Sequence, residues 1–372
     1  MQSRFIIEVY RLPVDNSQQT VATLERTPLA ESLHAATAEP YCGALTVPSF
    51  DEARLETLAF LKSCGMFDLG YSSRIRVLGE DKVRWLNGMV TNSAQSLETG
   101  TRNYNFVLNA QGRIQGDLFA YRRAEDFVLE TTREQRDTLL AWFDRYIIMD
   151  DVELTSLDAD LTAIGIAGPA ASSVLEKIGI TATNLGTGAF ISTKWNAAEI
   201  TVCSADDNLV PRYEIWIHPA EIASLWSTLA EAGAVPCGTR AEETLRILSG
   251  TPRYGVDIRG RDLPQETNQT RALHFAKGCY LGQEIVERIR SRGAVHRSFE
   301  GFVLTGRSPA PGTSLSIDEK PVGELTSVTE APDGSQIALG YVRRELVERG
   351  ATFQYDGGTA SATALPFQLS LE

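Results

Sequence analysis

From Phe299 to its end the chain carries only strand and turn signals, which confines that stretch to β structure. Phe302-Val303-Leu304 and Gly340-Tyr341-Val342 read as strands, while Gly312, Pro321, Asp333-Gly334 and Gly357-Gly358 read as turns. No helical periodicity is visible there. A small antiparallel β-barrel or sandwich of about 70 residues is the expected outcome.

The residues before it mix strands with helices, as in an α+β arrangement. Ser49-Phe50-Asp51-Glu52 has the form of a capping box, and Leu55, Leu58 and Leu61 repeat at roughly helical spacing up to Gly65. Arg74 to Leu78 alternates as a strand, and a helix is predicted from Asp81 to Met89. Tyr104, Phe106 and Leu108 alternate with polar neighbours, Asn109-Ala110-Gln111-Gly112 turns the chain, and Arg113 to Arg122 returns it as a β-hairpin. Thr132-Arg133-Glu134-Gln135 and Thr239-Arg240-Ala241-Glu242 are two more capping-box patterns, each opening a helix. Strands are expected near 163–167, 198–203 and 212–217. The chain thus divides into an N-terminal segment (1–48), α+β domains at 49–150 and 151–298, and the β region (299–372).

The net charge of −13 argues against wholesale nucleic-acid binding but leaves room for a local basic contact. Five cysteines (Cys42, Cys64, Cys203, Cys237, Cys279) are odd in number and form no Cys-x-x-Cys pair, which suits a reducing compartment. The four histidines fall at no metal-ligand spacing, so no metal is expected. No apolar run approaches the roughly 18 residues of a membrane span. Met1 to Glu8 meets charge too early for a signal peptide, so a cytoplasmic protein is expected. Walker and Gly-x-Gly-x-x-Gly patterns are missing.

Three places could carry chemistry. Asp117 follows Gly116 on the returning arm of the hairpin; a carboxylate turned toward a core must be hydrogen-bonded or paired. Glu214, in Arg212-Tyr213-Glu214-Ile215-Trp216-Ile217, stands among bulky apolar groups and could accept two parallel hydrogen bonds from an amidine-like edge such as a pterin's. For both, an exposed strand carboxylate is the plainer alternative. The third is Lys277-Gly278-Cys279-Tyr280-Leu281-Gly282-Gln283-Glu284 with the basic run through Arg288, Arg290 and Arg292 to Arg297. From Arg271 to Arg297 six Arg or Lys stand against two Glu. Lys277 would favour the thiolate of Cys279 if the fold brought them together. The basic run reads as a hairpin with a turn at Arg292-Gly293. Its guanidinium groups would then share one face for phosphate, polyglutamate or an acidic protein. A buried Cys in a tight turn beside a solvated basic face is the plainer account.

The Lys277–Glu284 stretch and its Arg-rich sequel resemble the signature of the YgfZ-type folate-binding proteins, paralogues of the glycine cleavage system T-protein that serve iron–sulfur cluster assembly or repair. Gly65-Met66-Phe67-Asp68-Leu69-Gly70, Leu108 to Ile114 with Gly116-Asp117-Leu118, and Arg253-Tyr254-Gly255-Val256-Asp257 are similar to T-protein segments. The likeness runs from about Leu29 into the C-terminal β region. It implies a T-protein-like three-domain ring around a central folate cavity, closed by a C-terminal antiparallel β-barrel. It further implies tetrahydrofolate as cofactor, with Glu214 reading the pterin edge, Asp117 near the one-carbon position and Tyr104 among the cofactor-binding residues. Catalytic T-proteins usually carry an acidic residue in place of Cys279 and a double carboxylate in place of Gly116-Asp117. The resemblance therefore implies a folate-binding protein that supports iron–sulfur client or assembly proteins through Cys279. The alternatives are a folate-dependent aminomethyltransferase or demethylase using Asp117, and a module that docks RNA or protein through the Arg-rich hairpin. Whether the chain turns over a substrate stays open at this point.

Overall fold

The computed structural model describes residues 24–182, 184–293 and 295–370, with the side chain of Arg292 outside the described set. The amino-terminal residues that bear on a signal peptide lie outside the described residues as well.

Two antiparallel sheets stand face to face. The first runs in the order Thr101–Leu108, Ile114–Arg122, Phe127–Thr132, Ser72–Leu78, Glu153–Ser156. The second runs Phe190–Trp195, Ala198–Ala205, Arg212–Ile217, Thr162–Ala167, Gly65–Asp68, and ends with the short parallel strand Val235–Pro236. Gly65–Asp68 precedes the first sheet in sequence yet pairs in the second. The outer face of the first sheet buries Leu118, Ala120 and Leu129 under the helices Lys82–Met89 and Arg133–Asp144. The outer face of the second buries Tyr213, Ile215 and Ile217 under Ala171–Lys177 and Ile222–Glu231. Because strand side chains alternate between faces, the intervening residues turn inward. Asp117, Phe119 and Tyr121 belong to that inner set in one sheet, Glu214 and Trp216 in the other. The rings of Tyr121 and Trp216 meet across the gap, 4.5 Å apart.

Six strands close the C-terminal barrel: Arg297–Gly306, Gln336–Arg343, Lys320–Glu330, Ser314–Ile317, Thr352–Tyr355 and Gly358–Thr363. Closure removes the exposed edges such short strands would otherwise present. One helical turn, Arg344–Glu348, lies among them, contrary to the all-β expectation. The barrel is tied to the elements before it by polar networks. Asp257 accepts from Thr326 and Ser327 of the barrel through one oxygen and from Arg246 through the other.

Two further expectations fail. The basic run is a helix, Gln283–Arg292, and not a hairpin. Ile285, Val286 and Ile289 recur at helical spacing, and Val286 is fully buried. Residues two apart on a helix point to different sides, so Arg288 and Arg290 do not share a face. Arg290 instead covers the ring of Phe275 at 4.3 Å. None of the three capping boxes closes: the helices Ala53–Lys62, Arg133–Asp144 and Thr239–Leu248 start without a side-chain cap bond. Gln135 and Glu242 are drawn inward to tertiary partners, which outweigh a cap worth about 1 kcal/mol.

Candidate functional site

Strand Ile114–Arg122 measures out the site. Asp117 lies near its partly exposed end and Tyr121 at its buried end, four residues or about 13 Å further along. At the outer position the Tyr104 hydroxyl donates to Asp117 Oδ2 at 2.6 Å, and Gln135 Nε2 donates to Oδ1 at 2.9 Å. Gln135 Oε1 in turn accepts from the Asp117 amide at 3.0 Å. Burial raises the Asp117 carboxyl above its usual range, against Tyr104, Gln135 and the nearby Arg271. Arg271 covers the Tyr104 ring at 4.9 Å and pairs with Asp206 at 3.3 Å.

At the inner position the two sheets bury charge. Glu214 is almost inaccessible, and its Oε2 lies 3.3 Å from the Tyr121 hydroxyl and 3.5 Å from Arg102 Nη1. Glu130 accepts from Tyr121 at 2.6 Å and from Arg74 at 2.5 Å. Arg74 is fully buried, its guanidinium 4.5 Å over the Trp216 ring. Burial pushes the Glu214 carboxyl up, but Arg102, Arg212 and Arg74 outweigh it and hold the group below its ordinary value. Burial prevails at Glu130, which is raised. Glu214 therefore faces an occupied polar cluster. Two clefts, of about 540 and 450 Å³, lie elsewhere among the described residues, one between Tyr41, Arg240 and Pro332, the other beside Trp195 and His218.

The glycine-bracketed motif packs against the hairpin on the side that carries Asp117. Tyr280 is buried with Tyr104, Phe106 and Ile114. Gly282 has φ +83°, and a Cβ there would stand 2.5 Å from the Asn109 carbonyl, so the hairpin turn and the motif touch only because glycine occupies this position. Gln283 Oε1 accepts from the Tyr280 amide at 3.2 Å and so closes the loop. Gly278, Cys279, Glu284, Arg288 and Arg290 are exposed. Lys277 does not serve the thiol: its Nζ donates to the carbonyls of Asn87 (2.7 Å), Val90 (2.6 Å) and Asn92 (2.6 Å). Burial pushes the amine down to about 7. The carbonyls work the other way, since only the ammonium can donate to all three at once. Cys42, Cys64, Cys203 and Cys237 are buried and Cys279 is exposed. Burial raises the thiols of Cys42, Cys64 and Cys203 to about 12.

Arg74, Arg102, Glu130 and Gln135 were not singled out by sequence reasoning. The signal available for Arg74 was its alternation with Ile75, which fixes a face but not which face is solvated. Among the described residues no group of three or more His, Cys, Asp or Glu is placed to hold a metal ion, and no helix is long and apolar enough to cross a membrane.

Residues 34–277 match the model of the GCVT N-terminal domain family. An aminomethyltransferase of Rubrobacter xylanophilus is 30% identical over 329 residues, covering 87% of this chain and 88% of the relative. One from Nostoc sp. is 27% identical, covering 92% and 94%. A putative chloroplastic transferase of Arabidopsis thaliana is also 27% identical, covering 82% and 71%. The crystal structure of glycine cleavage system aminomethyltransferase T from Bartonella henselae superposes with a TM-score of 0.85 at 21% identity, over 92% of this chain and 98% of that one. The chain therefore belongs to the GCVT N-terminal domain family and has a T-protein-like fold ending in a closed six-stranded barrel.

Proposed function

We propose that the protein binds tetrahydrofolate between its two sheets and supports assembly or repair of iron–sulfur enzymes through Cys279, as a YgfZ-type member of its family. The observation that carries the reading is the contrast among the thiols: four are buried, and the fifth is exposed on a loop whose Tyr280 packs with Tyr104, the hydroxyl donor to Asp117. One thiolate is too few to hold a cluster alone, so Cys279 acts on, or together with, a client or assembly protein.

The groups between the sheets have the hydrogen-bonding chemistry that a pterin edge would need. Arg102 Nε, Arg74 Nε and Nη1, and Trp216 Nε1 are buried donors without a hydrogen-bond partner among the described residues. They adjoin a carboxylate that Arg102, Arg212 and Arg74 keep ionised. Such donors favour a ligand that brings acceptors, and Glu214 favours one that also brings an amidine edge. Tetrahydrofolate supplies a one-carbon carrier when bound. Asp117, held by Tyr104 and Gln135, would sit toward the outer end with its proton affinity raised.

Calorimetric titration with tetrahydrofolate tests the binding half. Glu214→Ala should lose at least about tenfold in affinity, the scale of a charge-assisted hydrogen bond; unchanged affinity refutes the pterin assignment. Complementation of a deletion strain tests the thiol, and full rescue of iron–sulfur enzyme activity by Cys279→Ala would make it incidental. Aminomethyl transfer is favoured by one specific observation, the retained and polarised Asp117. Methylenetetrahydrofolate formed from an aminomethyl donor, and abolished in Asp117→Asn, would establish it. RNA or protein docking by an Arg-rich hairpin has no hairpin to rest on.

A further inference from the structure

Arg102 projects from Thr101–Leu108 into the space between the sheets. Its Nη1 donates to the Tyr121 hydroxyl and lies 3.5 Å from Glu214 Oε2. Its guanidinium lies 4.1 Å over the Phe119 ring, a contact that restrains the orientation of a planar cation. Its Nε is buried and has no partner among the described residues. A buried N–H left unpaired is expensive to keep. The same side chain therefore flanks the proposed pterin-reading carboxylate and holds a donor in reserve.

We propose that Arg102 is a specificity-determining residue that selects pteridines with an oxygen at C4. The inference rests on the folate reading above, and the chemistry of the ring edge carries it. A 2-amino-4-oxopteridine offers a carboxylate its 2-amino group and N3–H. The next group along that edge is the C4 oxygen, which only accepts. Glu214 and Arg102 match this order, the carboxylate taking two donors and the guanidinium supplying one. A 4-aminotetrahydropteridine cannot match it. With its N3 side toward Glu214 the neighbouring group is the 4-amino group; with its N1 side it is N8–H. Both are donors, and a guanidinium has no acceptor to offer them.

The test is anaerobic calorimetry on the full chain with tetrahydrofolate and its 4-amino counterpart, tetrahydroaminopterin. The wild-type protein should bind tetrahydrofolate about ten- to a hundredfold more tightly, the scale of one charge-assisted hydrogen bond exchanged for a donor facing a donor. Arg102→Met should bring the two affinities within about threefold of each other. Arg102→Gln, whose amide can donate or accept, should do the same and better preserves the buried polar cluster. Circular dichroism checks that each variant folds, and the wild-type comparison decides the matter without any variant. Equal wild-type affinities overturn the role of Arg102 and leave the folate reading standing, whereas binding of neither ligand overturns both. An undiminished preference in a folded Arg102 variant also overturns it.

Discussion

The position before Asp117 offers a sharp test of the packing. Gly116 lies on the outer face of its strand, toward helix Arg133–Asp144. A Cβ there would stand 2.8 Å from Leu139 Cδ2 and 3.0 Å from Gln135 Oε1, well inside the roughly 3.5–4 Å of ordinary carbon contact. Leu139 is buried among Phe143, Leu118 and Ile75 and has little room to withdraw. Gly116→Ala should therefore destabilise the protein by about 1–3 kcal/mol, the usual range for overpacking. Gly116→Asp, which restores the double carboxylate implied by the resemblance to T-proteins, adds a carboxylate buried against hydrocarbon, and the total should reach about 3 kcal/mol or more. It also presses on the Gln135 side chain that holds both the amide and the carboxylate of Asp117. Urea unfolding followed by circular dichroism measures the loss, with the m-values compared to confirm that the same transition is being read. A Gly116→Asp protein within about 0.5 kcal/mol of wild type, the scatter of harmless surface changes, would refute the packing argument.

Two further outcomes are expected. Burial raises the Glu242 carboxyl from 4.5 to about 7, against Arg212 and the Tyr71 hydroxyl that donates to it. Between those values the folded chain holds a proton that the unfolded chain has released, so this group's contribution is present below about pH 4.5 and lost as pH rises through 7. It amounts to at most about 3 kcal/mol; urea midpoints at pH 5 and 8 should converge in Glu242→Gln relative to wild type, and an unaltered difference would contradict the assignment. In native protein a disulfide reagent should titrate one thiol rapidly, five after denaturation, and no rapid thiol in Cys279→Ala, as the burial of the other four requires.

Much of the site was legible because alternation in a strand is a strict rule. Placing Asp117 on the returning arm of a hairpin and Glu214 in a six-residue strand needed only period-two patterning and turn residues. What alternation could not supply was the number of packed faces. Arg74 and Arg76 fall on one face of their strand by alternation. A second sheet covers the inner face, so Arg74 is fully buried while Arg76 stays half-exposed beside Asp126. The basic run was misread for a related reason: Arg288, Arg290 and Arg292 alternate with other residues, but so do many helices with polar outer faces. The informative positions were the apolar ones, Ile285, Val286 and Ile289. Capping boxes misled because their glutamine and glutamate had partners far away in sequence, Asp117 for Gln135 and Tyr71 for Glu242.

The two kinds of buried charge in this protein argue for different purposes. Where the barrel docks, the charged groups are paired: both oxygens of Asp257 are filled, and Arg297 is shared between Asp262 and Glu266, although the buried Tyr341 hydroxyl has no partner among the described residues. Such networks fix one arrangement of the domains. Between the sheets, Arg74, Arg102 and Arg212 accompany Glu130 and Glu214, and donors of Arg74, Arg102 and Trp216 remain without partners among the described residues. Desolvating each ion costs several kcal/mol, and well-packed hydrocarbon in the same volume is often the more stable choice. A cluster that is costly and incompletely paired is poorly explained by stability. It is better explained if its unused donors and its ionised carboxylate are held in readiness for a ligand, as the proposed folate site requires.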